Sequence, residues 1–527
     1  MAQAPLRPPV DPVAFEIIRR RLAAISDEAA ITVARISGSP IVTEGGDMNS
    51  AILSPEGEVL VCGMYMLVHS CALNGLVRFV LEEYADNPGF GPGDMFLTND
   101  PYVTGLHQPD GALVAPIYDG DRLVGWCGST VHESDVGGPV PGGISVGARS
   151  IFDEPIPMAP VRIVENGRMR RDLEKEYLIR SRTRELNALD LLGQIASNRV
   201  MIERVLELCA RYGTETVSAT IGWLIESTEL RLRERLRGFP AGRWRHVAYV
   251  EHDGNLDEIY PVRLTLTNLG GHLELDFSES ADQVEGIINC PLGLVRSFML
   301  ATLMPLLGYD GVPWVPAAFE RVVTLKTRPG TITDPSWPAA VSLGGTSTGH
   351  EVRNCLSACL ARMMAGVPGD SGKIMASGMS SAPGGTGSGL RVDGSRFTAP
   401  LLDASLGGGG ARAFADGTDT SGFLHSPGGA CANVEVMEAN LPIRYLWRVE
   451  RLDSAGPGAF RGGVAGASAS VPHHAGGDIE LTVWGHGVEQ PAAAGVAGGE
   501  PGLPNGVAIV RQGALRVGRE MAGGRFV

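Results

Sequence analysis

The stretch GDMFLTNDPYVTGLHQPDGALVAP, residues 93–116, holds two apolar segments separated by a polar turn. Within that turn His107 and Asp110 stand on either side of Gln108 and Pro109. Proline has a fixed φ and no backbone N–H, so Pro109 excludes the interior of a regular helix. The two side chains are therefore predicted to project from one turn, with a strand-like segment before it and an apolar run behind it.

The sequence around this stretch predicts a mixed α/β unit over residues 1–165. Asp11 and Pro12 are typical of a helix start, the first as the cap and the second at the first helical position. The other elements predicted for this unit are two short strands within 50–63, a helix over 69–85 and a hairpin at Asp119-Gly120.

Periodicity and composition divide the rest of the chain. Residues 166–245 read as helical, 246–370 mix period-two strands with helices, and 371–527 are glycine-rich and strand-like. Those glycines suit tight turns, and they also suit backbone amides directed at an anion. We expect a multidomain α+β fold of a mixed α/β N-terminal unit, a helical middle, an α+β segment and a β-rich C-terminal region.

Composition argues against several classes of partner. A net charge of -15 disfavours nucleic acid, which needs a concentrated basic patch. The N-terminus lacks the apolar core of a secretory signal, and no stretch approaches the ~20 apolar residues of a membrane helix. The 8 cysteines are scattered without a Cys-x-x-Cys pair, which predicts reduced thiols and a cytoplasmic location.

No nucleotide-binding motif is complete in the sequence. The stretch nearest to a P-loop, residues 366–374, has Val367 in place of the first glycine and Ile374 in place of the hydroxyl residue. Residues 408–413 match a dinucleotide fingerprint by letters, but neither a clean strand nor an amphipathic helix flanks them. No Gly-x-Ser-x-Gly elbow occurs. The chain is not expected to bind ATP alone.

Three segments of the N-terminal unit carry polar clusters: Asp47, His107 with Asp110, and His132 with Asp135. Imidazole and carboxylate together form a ligand set for Zn²⁺, Mn²⁺ or Fe²⁺. Each residue also has an ordinary role available. Asp110 can cap a turn, His132 can be a hydrogen-bonded strand histidine, and Asp47 can bind its own backbone. On spacing alone, a shared metal site and these structural roles are both open.

Motifs along nearly the whole chain resemble one family, the hydantoinase B family. It comprises the B-type subunits of ATP-dependent hydantoinases, oxoprolinases and caprolactamases, and α subunits of acetone carboxylases are more distant relatives. The motifs that carry the resemblance are, in order, DPVAFEIIRRRL (11–22), SGSPIVTEGGDMNSAIL (37–53), GDMFLTNDPY (93–102), HQPDGALVAPIY (107–118), VHESDVGG (131–138), DLLGQIASNRVMIERVLEL (190–208), LDFSES (275–280), EGIINCPLG (285–293), NVEVMEANLPIRY (433–445) and LDSAGPGAFRGG (452–463).

The resemblance implies a divalent metal, held by His107, Asp110 and His132. Asp47 looks like a further ligand in the same set. His69 matches another histidine of the family and is expected to line the pocket, where we count it among the catalytic candidates.

Asp135 is a second catalytic candidate with two open roles. It either orients His132 through a hydrogen bond or serves as a turn residue. The neighbouring Glu133 is expected to be solvated. The chain departs from the family in residues 43–47, which lack an arginine before the aspartate, and in 401–411, which replace a more polar stretch. Both departures bear on the substrate or on the contact with its phosphate.

The resemblance also implies a division of labour between two subunits. A kinase-like A-type subunit would use ATP to phosphorylate the oxygen of a cyclic amide, and this chain would complete the hydrolysis with a metal-activated hydroxide. Two alternatives remain open, a subunit of an ATP-dependent carboxylase that acts on a ketone or aromatic compound, and a non-catalytic scaffold subunit. The expected partners are the A-type subunit and a small molecule, with neither nucleic acid nor membrane.

Overall fold

A computed structural model describes residues 8–367, 369–379, 384–403, 405–490 and 493–511, with backbone segments 514–517, 521–522 and 525–526. Its helices are α1 Pro12–Ile36, α2 Pro40–Thr43, α3 Leu67–Glu83, α4 Pro101–Thr104, α5 Arg171–Leu178, α6 Arg184–Tyr212, α7 Thr214–Gly238, α8 Leu292–Leu307, α9 Pro316–Arg321, α10 Thr348–Ala365 and α11 Val434–Asn440.

The strands alternate with these helices along the chain. They are β1 Met48–Leu53, β2 Val59–Cys62, β3 Met95–Thr98, β4 Asp110–Asp119, β5 Arg122–His132, β6 Val161–Glu165, β7 Arg168–Met169, β8 Gly242–Glu251, β9 Ile259–Asn268, β10 Leu273–Asp276, β11 Val323–Lys326, β12 Gly384–Leu390, β13 Arg396–Leu401, β14 Ile443–Glu450, β15 Gly466–Pro472, β16 Glu480–Trp484, β17 Ala508–Arg511, β18 Ala514–Val517, β19 Met521–Ala522 and β20 Arg525–Phe526.

The N-terminal strands form a seven-stranded sheet in the order β2-β1-β5-β4-β3-β6-β7. All of its neighbouring pairs are antiparallel, and β4 and β5 are the hairpin predicted at Asp119-Gly120. Helices cover both faces, so β1 and β3 are buried along their whole length. Burial on both faces accords with the sequences of these strands, MNSAIL and MFLT, in which polar and apolar residues do not alternate.

The two faces of this sheet receive different helices. Ser129 of β5 donates a hydrogen bond to Asn198 of α6 at 3.4 Å. The next residue, Thr130, donates to the carbonyl of His69 in α3 at 3.5 Å. Successive side chains of a strand alternate between faces, so His132 lies on the α3 side with Thr130. Its cross-strand partner Asp110 shares that side.

A second sheet, in the order β11-β10-β9-β8, supports α10, which also packs on α8. Gly270 and Gly271 join β9 to β10 with φ values of +80° and +115°. One connected core of buried apolar residues runs from Ile18 to Met364 through both sheets. Whether the four segments expected from the sequence are separate domains remains a prediction.

The glycine-rich C-terminal region contains small sheets, with the order β13-β12-β16 and the pair β14-β15. Its glycines permit close contact between backbones. A Cβ on Gly408 would lie 1.9 Å from the carbonyl oxygen of Gly463, and one on Gly410 would lie 1.8 Å from that of Ala376. These glycines therefore have a packing role, which accords with the structural-turn alternative.

The main helices and strands expected from the sequence are confirmed. Asp11 caps α1 by accepting a hydrogen bond from the N–H of Ala14 at 2.8 Å. Gly213 ends α6 with a φ of +85°. Within the described part of the chain, no helix combines the length and the apolar character needed to cross a membrane.

Candidate metal centre

Three adjacent strands reach the same edge of the seven-stranded sheet, each with a polar side chain. Asp110 begins β4 and pairs with His132, the last residue of β5. Asp47 immediately precedes β1, and its carbonyl accepts a hydrogen bond from the N–H of His132 at 3.0 Å. Strand pairing therefore brings together residues that lie far apart in the sequence.

His107 reaches the same edge from the turn before β4. The N–H of Asp110 donates to the carbonyl of His107 at 2.9 Å and so closes the predicted turn. Just before it, Gly105 has a φ of +79°, and a Cβ there would lie 2.5 Å from the backbone of Gly293 in α8. Only glycine allows this close approach, which fixes the turn against α8.

The side-chain atoms converge to separations expected of metal ligands. Asp110 Oδ1 lies 2.9 Å from His132 Nδ1 and 3.4 Å from His107 Nε2, and these two nitrogens are 3.2 Å apart. One ligand atom from each of the three residues lies within 4.8 Å of the others. Ligands about 2.0–2.2 Å from a tetrahedral cation are roughly 3.3–3.6 Å apart. The three residues therefore fit a divalent cation with little rearrangement.

Asp47 supports the same fit. Its Oδ2 lies 3.9 Å from His132 Nδ1, and its Oδ1 lies 3.5 Å from His69 Nε2. That Oδ1 atom is buried, and no described residue forms a hydrogen bond with it. A buried carboxylate oxygen without a partner is unfavourable because it has lost its water. A cation at the cluster would supply the missing partner.

His69 lies in the first turn of α3, at the rim of the cluster. Its Nε2 is 3.5 Å from Oδ1 of Asp47 and 3.5 Å from Oδ1 of Asp110. Burial opposes protonation of the ring, but the charges of Asp110 and Asp47 outweigh it and raise the pKa of His69. The structure brings this predicted pocket histidine next to the predicted ligands.

The cluster is strongly polarised before any cation is added. Burial disfavours a charged His107, yet the charge and hydrogen bond of Asp110 and the carbonyl of Ser342 raise the pKa of His107 to about 9. Burial likewise disfavours a charged Asp110, but His107 and His69 lower its pKa well below the usual value. A proton on His107 would therefore compete with a cation for that ring.

We expect metal affinity to rise with pH below about pH 9, because the metal requires the neutral form of His107. At neutral pH each bound cation should release about one proton from this residue. Calorimetric titration in two buffers with different protonation enthalpies measures that release. An affinity that does not change between about pH 7 and 8.5 would contradict the proton competition.

A buried network orients His107 toward the cluster. Its Nδ1 donates to the carbonyl of Ser342 at 2.8 Å, which leaves Nε2 of the neutral ring free to accept or coordinate. The carboxylate of Glu154 fixes that segment by accepting from the N–H groups of Val341 at 3.0 Å and Ser342 at 2.7 Å. Gln108 also donates to Glu154, at 2.7 Å. Sequence reasoning missed Glu154, since 188 positions separate it from Ser342.

The carboxylate of Asp135 bonds to groups other than His132. Its Oδ1 accepts from the N–H of Gly137 at 3.0 Å and from that of Arg182 at 2.7 Å. Its Oδ2 accepts from the N–H of Gly142 at 2.9 Å and from Nη1 of Arg182 at 3.0 Å. These contacts support the role of Asp135 as a turn residue. They also connect this turn to Arg182, which lies just before α6.

Asp135→Asn is expected to lower the free energy of unfolding by about 1–3 kcal/mol, because an amide cannot accept from all four donors. Metal content should stay at the wild-type level, since the side chain does not reach the cluster. Thermal or denaturant unfolding with parallel elemental analysis checks both parts. If Asp135→Asn lost metal while its stability stayed unchanged, Asp135 would instead have the role of orienting His132.

The expectation that Glu133 is solvated is wrong. Its carboxylate is buried and accepts hydrogen bonds from the hydroxyl of Tyr177 at 2.5 Å and from the amide of Asn187 at 2.6 Å. Burial, which outweighs these bonds, raises the pKa of Glu133 well above its usual value. The partners lie on α5 and α6, so the local polar sequence gave no sign of them.

The cluster faces a cavity of ≈ 160 Å³. Asp47, His69, His107, Asp110 and His132 form the charged and metal-ligating part of its lining. The remainder is mainly apolar and aromatic and comes from all parts of the described chain: Ile41, Gly45, Met66, Val68, Leu106, Ser134, Gly142, Ile144, Leu294, Phe298, Gly345, Thr346, His350, Gly384, Thr386, Pro400, Leu401, Leu402, Ser405, Phe423, His425, Ser426, Ala430 and Trp484. A small molecule can enter beside the candidate metal ligands.

Comparison with known families decides the family membership. Residues 11–524 match the family model of hydantoinase B/oxoprolinase. This chain belongs to the hydantoinase B/oxoprolinase family. The match extends over nearly the whole sequence, as the motifs from residue 11 to residue 463 predicted, and confirms that resemblance.

Characterised relatives in this family include subunits of larger enzymes. The acetophenone carboxylase delta subunit of Aromatoleum aromaticum is 28% identical over 88% of this chain and 67% of its own length. The caprolactamase subunit beta of Pseudomonas jessenii is 27% identical over 86% and 77%. The 5-oxoprolinase of Dictyostelium discoideum is 24% identical over 86% of this chain. This hydantoinase B family member spans 34% of that 5-oxoprolinase.

Solved structures share the fold of this family member. A nucleotide-free acetone carboxylase superposes with a TM-score of 0.88 at 22% identity, over 94% of this chain and 66% of the other. The ATP-dependent caprolactamase of Pseudomonas jessenii superposes with a TM-score of 0.80 at 24% identity, over 88% and 79%. The α+β fold class expected from the sequence is confirmed by the sheets and helices described above.

Proposed function

We propose that this chain is the metal-dependent B-type subunit of an ATP-dependent hydrolase that acts on a cyclic amide. The observation that carries the proposal is the convergence of Asp47, His107, Asp110 and His132 beside a cavity that admits a small molecule. Members of the same family include a caprolactamase subunit and 5-oxoprolinases. Both of those names denote enzymes that open cyclic amides.

His107, Asp110 and His132 would hold a divalent cation, Zn²⁺, Mn²⁺ or Fe²⁺, with Asp47 as the fourth protein ligand. Such a cation supplies Lewis acidity and lowers the pKa of water from ~15.7 toward ~7. Asp47 and Asp110 would balance its charge. Ser342 and Glu154 would keep His107 in the tautomer whose Nε2 faces the cluster.

His69 would handle the proton of the reaction. Opening a cyclic amide requires a proton on the leaving ring nitrogen, which a positioned histidine can provide. Nε2 of His69 lies 3.5 Å from the carboxylates of Asp47 and Asp110, which favour a proton at that atom. The apolar remainder of the cavity would exclude water from the amide and hold the ring in place.

An A-type subunit would use ATP to phosphorylate the amide oxygen, which makes the carbonyl carbon a better electrophile. Addition of hydroxide and cleavage of the C–N bond would leave an acyl phosphate, and a second water would release phosphate from it. The absence of a complete P-loop in this sequence supports that division. Relatives named as a beta subunit and a delta subunit also support a heteromeric enzyme. We propose that ATP is bound by the partner and not by this chain alone.

A reconstitution experiment tests the proposal. The purified chain should neither hydrolyse a cyclic amide nor bind ATP at micromolar concentration. With its A-type partner it should couple ATP cleavage to ring opening across a panel of lactams and hydantoins. Carboxylation of acetophenone or acetone by the same complex, with no ring opening, would support the carboxylase alternative instead. Full activity of the partner without this chain would support the scaffold alternative.

A further inference from the structure

Among the lining residues that the structure describes, the charged side chains of the cavity beside the candidate metal centre lie together in one part. That part is the cluster of Asp47, Asp110 and their histidines, where the proposed cation would engage the reacting amide and the phosphoryl group that the A-type subunit adds to it. Among the other lining residues that the structure describes, none is arginine or lysine. A second anionic group on a substrate would therefore lose its water without gaining a fixed cation.

A buried guanidinium whose charge acts on the cavity wall forms its hydrogen bonds with other groups. Arg353 of α10 is almost fully buried, yet it is not part of the cavity lining. It donates to Oδ1 of Asn354 at 3.0 Å and to the carbonyl of Met379. Its charge does, however, affect the wall of the cavity at His425.

The wall that contains His425 is aromatic and uncharged. The His425 ring stacks on Phe423 with centroids 5.1 Å apart, and it meets Phe298 edge-on at 5.0 Å. Burial, with the charges of Arg353 and His69, lowers the pKa of His425 well below the usual value. This imidazole is neutral at physiological pH, so it cannot replace the missing cation.

The size of the cavity limits the substrate further. Its volume of ≈ 160 Å³ is close to that of an apolar cavity of about 150 Å³ that holds benzene. Such a space accommodates a ring of about five to seven atoms with few substituents. Aliphatic and aromatic walls favour a ring with an apolar body.

We propose that this cavity selects a small uncharged cyclic amide, and that a carboxylate on the ring excludes a compound from it. This inference rests on the proposed function and defines its substrate class. A simple lactam satisfies it, whereas 5-oxoproline, which carries a carboxylate beside the ring nitrogen, does not. Phe423 limits the size of the accepted ring because its side chain forms part of the aromatic wall.

Three probes separate charge from size. They are 2-pyrrolidone, 5-oxoproline and the amide of 5-oxoproline, which matches the acid in shape but has no charge. Calorimetry with the metal-loaded chain should give dissociation constants at least ~10-fold lower for the two neutral compounds than for the acid. The reconstituted complex should show the same order in kcat/KM. Phe423→Leu should shift preference toward larger neutral rings such as caprolactam, with the discrimination against 5-oxoproline unchanged.

Equal binding of 5-oxoproline and its amide would overturn the inference. If the complex also hydrolysed 5-oxoproline efficiently with ATP, the proposed hydrolase function would stand while the inference failed. If none of the three probes were bound or opened by the complex, both would fail.

Discussion

Asp110→Asn is expected to abolish metal binding and to lower product formation by at least ~10²-fold. Asparagine nearly matches the shape of aspartate, but a neutral amide is a poor ligand. Oδ1 of Asp110 lies 2.9 Å from Nδ1 of His132, 3.4 Å from Nε2 of His107 and 3.5 Å from Nε2 of His69. Removing its charge removes the common centre of the cluster.

The fold and the partner interaction should survive this substitution, so phosphate release and product release must be measured separately. ATP cleavage by the A-type partner would persist without ring opening. Asp121→Asn, at the exposed tip of the β4–β5 hairpin, is the matched control and should keep full activity. If the Asp110→Asn variant formed product at the wild-type rate, Asp110 would be a turn residue and not a metal ligand.

Glu154→Gln is expected to weaken metal affinity by about 10–100-fold, the usual effect of losing a group that orients a ligand. Glu154 does not touch the cluster. Both of its oxygens accept hydrogen bonds, from Val341, Ser342 and Gln108, and an amide nitrogen in either position would face a donor. The Ser342 carbonyl would then shift, and the His107 ring, which bonds to it through Nδ1, would no longer be held with Nε2 toward the cluster.

Metal titration of the folded variant distinguishes this effect from simple instability. Glu203→Gln, on the exposed face of α6, is the matched control. A Glu154→Gln protein that is destabilised but binds metal as tightly as the wild type would show that the network supports the fold alone.

Part of the site could be predicted from the sequence, because the turn that contains His107 and Asp110 depends on neighbouring residues. Pro109 predicted the turn, and the N–H of Asp110 closes it on the carbonyl of His107, so that these two residues lie close together. The hairpin at Asp119-Gly120 was also readable, and its register then places His132 opposite Asp110. The assignment of all these residues as metal ligands came from the family resemblance, and it remains a prediction until metal is measured.

The features that sequence reasoning missed all depend on distant contacts. Glu154 reaches Ser342 across 188 positions. Glu133 is buried because Tyr177 and Asn187 of later helices cover it, although its own neighbours are polar. Periodicity describes which face of one element is apolar, but it does not specify which element will pack there.

Elemental analysis of purified protein tests the central claim most directly. The account predicts about one divalent metal per chain in the wild type, little or none in His107→Ala, and wild-type content in His272→Ala, whose ring bonds to Thr324 on the second sheet at 2.8 Å. A metal-free wild type that also takes up no Zn²⁺, Mn²⁺ or Fe²⁺ on dialysis, or equal occupancy in wild type and His107→Ala, would contradict it.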